Sequence, residues 1–191
     1  ESVESGKETE HSDSEIVDAI INDSWIELTQ QVFDISVSEE YSYYINMQEK
    51  DFFFSDAEES QFTSTKSLSE YVEYIESTVN DIDNIIDLDF IRVFDSDSST
   101  VEFYLVDDVD LDDESAIGLT NNWGTFFEIL LKDGQEETEQ KSTIIHEWGH
   151  VLGLDHPLDD GYDSAYTVDD TVMSYNIGSN GWNDTFTSSD I

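Results

Sequence analysis

Apolar residues recur along this chain with a period that changes several times. Residues 1–15 are polar and acidic with no apolar rhythm, which predicts a disordered tail. Apolar positions return at Ile16, Ile20, Ile21, Trp25, Leu28 and Val32, a spacing that fits a short helix and equally a loosely packed segment. Residues 41–47 carry the aromatic and β-branched content of a strand. The clearest helical period covers 67–86, where Leu68, Tyr71, Val72, Ile75, Val79, Ile82 and Ile86 form one stripe and Ser67-x-x-Glu70 predicts a capping box. Alternating segments at 88–94 and 101–106, separated by a turn-forming Asp/Ser run, predict a hairpin or two neighbouring strands. An acidic loop follows at 107–114, then strands near 116–119 and 126–131 and a second helix over 137–152. The last forty residues hold the single proline and many small polar residues, and predict an irregular, loop-rich part without internal repeats.

This order of elements predicts an α/β (α+β) fold, a twisted mixed sheet packed on two long helices. At 191 residues, 37% apolar and 13% aromatic, the chain has the material for one substantial core. Charge changes the picture of its partners. Against 47 acidic residues stand 6 basic ones, a net charge of −41. Such a field repels nucleic acid and anionic membrane surfaces and favours cations and basic peptides. The absence of cysteine excludes disulfides, thiolate metal sites and cysteine nucleophiles. No apolar run approaches the roughly 18 residues that would span a bilayer. The chain opens on Glu1 with neither a methionine nor a signal-like segment, so it is expected to be a processed piece.

The chemistry concentrates in residues 144–157, IIHEWGHVLGLDHP. His146 and His150 lie four apart, so on a helix their imidazoles share one face and can bind a single Zn²⁺. Glu147 sits beside the first ligand, within reach of water on the metal. Gly153 can end the helix and turn the chain, which brings His156 back as a third nitrogen. Three protein ligands leave a fourth position for water or substrate, the pattern of catalytic zinc, with Glu147 as general base and then general acid. Histidine is rare here, 4 in 191 residues, and three of the four stand at these spacings. The fourth, His11, falls in the predicted tail and reads as inert. Acidic residues offer candidate Ca²⁺ ligands in loop 107–114 and at Asp155, Asp159, Asp160 and Asp163, although neither run has the spacing of a helix-loop-helix calcium site.

His146-Glu-x-x-His150-x-x-Gly153-x-x-His156, followed by Met173-Ser-Tyr175, resembles the metzincin zinc endopeptidases. The proline after the third histidine and the closing Phe186-Thr-Ser-Ser-Asp-Ile191 make it most similar to the serralysin and matrixin-like bacterial secreted proteases. The resemblance implies one protease domain over 16–191, with an upper subdomain (16–153) and a lower one (154–191). It implies zinc on His146, His150 and His156, catalysis by Glu147, and Met173 in a turn beneath the metal. Tyr175 matches a tyrosine that binds zinc at rest and swings to stabilise the oxyanion. Ala116, Ile117, Gly118 and Leu119 would belong to an edge strand that pairs with an extended peptide, and residues 176–184 would wall the specificity pocket. A monomeric, extracellular enzyme acting on protein or peptide substrates is implied. Such proteases continue into a C-terminal helix near Ser188, so this chain is expected to be trimmed there. The first forty residues find no counterpart and read as a pro-segment remnant. Two other classes of function fit the same sequence. One is a zinc-binding module without turnover, which the intact Glu147 argues against. The other is an acidic calcium-dependent interaction module, which predicts folding driven by calcium.

Overall fold

The computed structural model describes residues 11–34, 36–55, 60–109 and 115–191. Among these run four α-helices: α1 (Asp13–Ile20), α2 (Asp23–Val32), α3 (Val72–Asp83) and α4 (Glu137–Val151). Seven strands accompany them: β1 (Glu40–Ile45), β2 (Lys50–Ser55), β3 (Ser60–Lys66), β4 (Asp89–Val93), β5 (Val101–Val106), β6 (Gly118–Asn122) and β7 (Phe127–Lys132). They form one mixed sheet. Strands β4, β1, β5 and β7 run parallel side by side, and β6 closes one edge antiparallel to β7. The other side of β5 is divided: β1 pairs with Val101–Phe103, while β3, with β2 beside it, pairs antiparallel with Leu105 and Val106.

Strand alternation assigns the faces. Tyr43, Ile45, Val101, Phe103, Leu105, Phe127, Ile129 and Leu131 meet Ile75, Val79 and Ile82 of α3 and Ile144, Trp148 and Val151 of α4 in the main core. Trp148 stacks on Phe103 with ring centroids 5.3 Å apart, and full burial of each such side chain contributes about 1.5–3 kcal/mol. The opposite face holds a smaller cluster of Tyr104, Val106, Val109 and Leu130. It also carries two buried carboxylates, Glu102 and Glu128, in register on β5 and β7. A third cluster (Ile20, Ile145, Leu154, Val172, Met173) joins the underside of α4 to the C-terminal residues and to α1. No helix among the described residues is long and apolar enough to cross a membrane.

Several expectations need correction. Strands β4 and β5 are not partners, because β1 inserts between them parallel to both. A local turn signal marks where the chain bends and not which strand it pairs with. The capping box at Ser67 does not form: its hydroxyl accepts from Ser69 N–H, Leu68 is fully buried, and α3 begins only at Val72. Residues 1–10 of the predicted tail lie outside the described residues, but Asp13, Ser14 and Glu15 already belong to α1. There the Glu15 carboxylate accepts from both the N–H and the hydroxyl of Ser12, at 2.9 and 2.8 Å. The segment left open between helix and loose packing is two helices, the second capped by Asn22, whose side chain accepts from Ser24 N–H.

Candidate metal centre and its cleft

Helix α4 runs beneath β6 and carries His146, Glu147 and His150. Its end is a Schellman turn. Gly153, at φ 98°, lets its own N–H reach the His150 carbonyl (3.1 Å) and Leu154 N–H reach Gly149 (3.0 Å). The reversal returns His156 to the other two imidazoles, and one ligand nitrogen from each histidine lies within 4.8 Å of the others. His146 Nδ1 donates to the Val172 carbonyl at 2.8 Å and His150 Nδ1 to the Leu154 carbonyl at 2.9 Å. A carbonyl can only accept, so these contacts fix the proton on Nδ1 and leave Nε2 bare on both rings. Tetrahedral zinc bonds of about 2.0–2.1 Å hold ligand atoms about 3.4 Å apart, and the Nε2 atoms of His146 and His156 stand 3.2 Å apart. Burial first, and neighbouring imidazoles second, hold His146 and His150 well below the usual imidazole range, His150 at about 3. Desolvation lowers His156 too, against the opposing pull of Asp155, Asp160 and Asp159. Three neutral, converging imidazoles can therefore hold a metal ion without first losing protons.

Glu147 lies at the floor of a cavity of about 290 Å³, which Ala116, Ile117, Gly118, His146 and Tyr175 also line. Thr120 on β6 donates its hydroxyl to Glu147 Oε2 at 2.7 Å. Burial pushes Glu147 up to about 7, and the Thr120 hydrogen bond pulls the other way. A Cβ on Gly118 would collide with the Glu147 carboxylate, so only glycine lets the strand pass this close. Thr120 escaped sequence reading, for it lies 27 residues from its partner. Strand alternation from Gly118 was the available signal.

The supports of the site are also in place. Met173 is fully buried, its sulfur 2.5 Å from where a Cβ on Gly149 would sit, directly beneath the turn between His146 and His150. Gly149 is thus a second residue missed in the sequence, where it occupies a variable place in the histidine motif. The Tyr175 ring lies 5.0 Å from the His146 ring and 4.7 Å from that of His156, against the bare backbone of Gly161. Asp190, another missed residue, accepts from Thr171 Oγ1, Val172 N–H and Thr187 N–H. It thereby anchors Val172, the residue whose carbonyl orients His146.

Other expected sites fare differently. Leu119 turns away from the cavity and packs toward Tyr104 and Leu130, as strand alternation requires. The four aspartates proposed for calcium do not converge, and the histidine triad is the only metal-competent cluster of three or more among the described residues. Instead each serves a local contact. Asp155 accepts from His156 N–H, Asp160 from Tyr162 N–H and Asp163 from Ala165 N–H, while Asp159 accepts from the Asn22 amide. In the acidic loop, residues 110–114 lie outside the described residues, and Asp107 pairs with Lys66 at 3.2 Å. His11 is not idle: its ring stacks on Tyr166 with centroids 4.6 Å apart. Comparison with known proteins finds no matching family model and no matching curated protein.

Proposed function

We propose that this chain is a zinc-dependent endopeptidase of metzincin type that acts outside the cell on internal bonds of extended peptides. The observation that carries the reading is the Glu147 carboxylate, held by Thr120 at the floor of a cavity beside three converging neutral imidazoles. His146, His150 and His156 would hold the ion, and the bare Nε2 atoms of His146 and His150, whose tautomers the Val172 and Leu154 carbonyls fix, suit zinc. Zinc bound there supplies Lewis acidity, polarising the scissile carbonyl and making water acidic enough to attack at neutral pH.

The chain's own groups do the rest. Among the described residues β6 pairs only with β7, which leaves its other edge to an incoming peptide in extended conformation. Gly118 brings that edge directly over Glu147. Glu147 accepts the proton of the attacking water and returns it to the departing amine nitrogen. A carboxyl raised toward neutrality by burial is suited to both transfers. The Tyr175 hydroxyl donates to the oxyanion that develops on the carbonyl oxygen.

The test is digestion of a mixed peptide library by the zinc-loaded chain, with Glu147→Ala alongside. Cleavage at internal bonds that drops by about 100-fold or more in the variant supports the reading. Zinc uptake at one per chain with no cleavage by the wild type would assign the site to binding without turnover.

A further inference from the structure

We propose that residues 11–33 form a clasp that shapes the metal centre from behind, and that Trp25 is the positioning residue that fixes the plane of His150. The inference rests on reading the three histidines as a metal site and not on peptidase activity.

The third ligand reaches the centre through residues 152–156, beyond the end of α4, where the helix no longer fixes the backbone. The N-terminal helices touch this path repeatedly. Thr29 on α2 donates its hydroxyl to the Val151 carbonyl at 3.2 Å and occupies the space that a Cβ on Gly153 would face. Ile21, between the helices, forms an antiparallel bridge with Leu154, and Asp155 N–H donates to the Ile20 carbonyl at 2.8 Å. Asn22 then ties its amide to Asp159 Oδ1 at 2.9 Å, past the third ligand. Ile20 itself is fully buried in the cluster that holds Met173. The ligand-bearing turn is therefore templated from both ends by a segment distant in sequence.

Trp25 adds a contact to a ligand itself. Its ring lies 5.0 Å from that of His150 at an interplanar angle of 20°. The Nδ1 hydrogen bond to Leu154 fixes one edge of this imidazole and the indole covers one face, so a rotation of the ring would break both. Leu154 is also the residue bridged to Ile21, so hydrogen bond and stack depend on the same clasp. Loss of a hydrogen-bond partner that orients a metal ligand commonly weakens metal affinity by about 10- to 100-fold, and the stack holds the same ring in the same plane.

The experiment measures Zn²⁺ affinity by competition with a chromophoric chelator for the full chain, Trp25→Ala, Trp25→Leu and Trp25→Phe. Each is also loaded with Co²⁺ for visible spectroscopy and melted without metal. The expected result is about tenfold weaker zinc binding and an altered cobalt spectrum for Trp25→Ala and Trp25→Leu. Trp25→Phe, which restores a flat face, should return affinity and spectrum toward wild type. A role in packing alone would lower the metal-free melting temperature of the variants and leave zinc affinity and spectrum unchanged, and that result overturns the proposal. If Trp25→Ala does not fold, the comparison of Leu with Phe decides in the same way. A wild-type chain that takes up no zinc would remove the metal centre and the clasp with it, a failure visible before any variant is made.

Discussion

At the residue scale, the site depends on single atoms placed where nothing larger or less polar would serve. Thr120 is the clearest case. Its hydroxyl donates to Glu147 Oε2 at 2.7 Å, and so supplies a hydrogen bond to a carboxylate that burial takes out of water. Thr120→Val keeps the volume and removes the donor. On the proposed peptidase reading, the expected outcome is retained zinc at one per chain, nearly unchanged KM, and kcat lower by about 10-fold because the proposed acid/base is no longer held in place. Steady-state kinetics and metal analysis on the same preparation check it, and an unchanged kcat would show that Glu147 is positioned by other means. The three histidines, Glu147 and Gly153 were legible because their spacing alone specifies a helix face and a turn. Thr120, Gly149 and Asp190 were not, since each acts on a partner brought near only by the folded chain.

At the scale of elements, β5 and β7 carry a cost on the face turned away from the helices. Glu102 and Glu128 stand in register, and burial raises both above the usual carboxyl range. Around Glu102 stand the hydroxyls of Tyr104 and Ser99, the charge of Asp97 and the opposing charge of Lys50; Glu128 receives the Asn121 amide. A carboxyl raised in the folded state binds its proton more tightly there than in the unfolded chain. Its stabilisation is thus complete below the unfolded pKa of about 4.3 and is lost as pH rises through the folded value. Melting temperature should fall as pH is raised from about 4 toward 7, each unit of raised pKa being worth about 1.4 kcal/mol. In 0.5 M salt, which screens the surface more than this pair, Glu102→Gln should flatten the slope by about 2–4 °C. A slope equal to wild type would place the effect elsewhere. The elements themselves were largely legible: β4, β5, β7 and α4 fall within a residue or two of their apolar patterns. Their pairing was not, because alternation marks a strand's faces and leaves its neighbours open, so that β1 could enter between β4 and β5 unannounced. α1 was hidden by its polar surroundings, although Ser12 and Glu15 carried a capping signal.

At the scale of the whole molecule, the dominant quantity is the charge of −41. It decides neither the fold nor the position of the triad, both of which follow from apolar pattern and histidine spacing. It acts on what approaches. The cleft beside Glu147 is also lined by Glu139, which no lysine or arginine among the described residues pairs with. A peptide carrying Lys or Arg therefore meets an attractive field at long range and an acidic wall on arrival. The two contributions separate by ionic strength. The Debye length shrinks from about 30 Å at 0.01 M to about 3 Å at 1 M salt, so the long-range part should vanish over that interval. For matched peptides, kcat/KM should favour the basic sequence at low salt, by about 10-fold or more if the whole field steers the encounter, with most of the change in KM. The neutral peptide should be nearly indifferent to salt, and an acidic one should improve as salt is added. What preference survives at 1 M belongs to contact, and Glu139→Gln should remove it. A basic preference of constant size across the series would assign selection to the cleft alone, and equal cleavage of all three peptides at every salt concentration would leave the charge without a part in substrate choice.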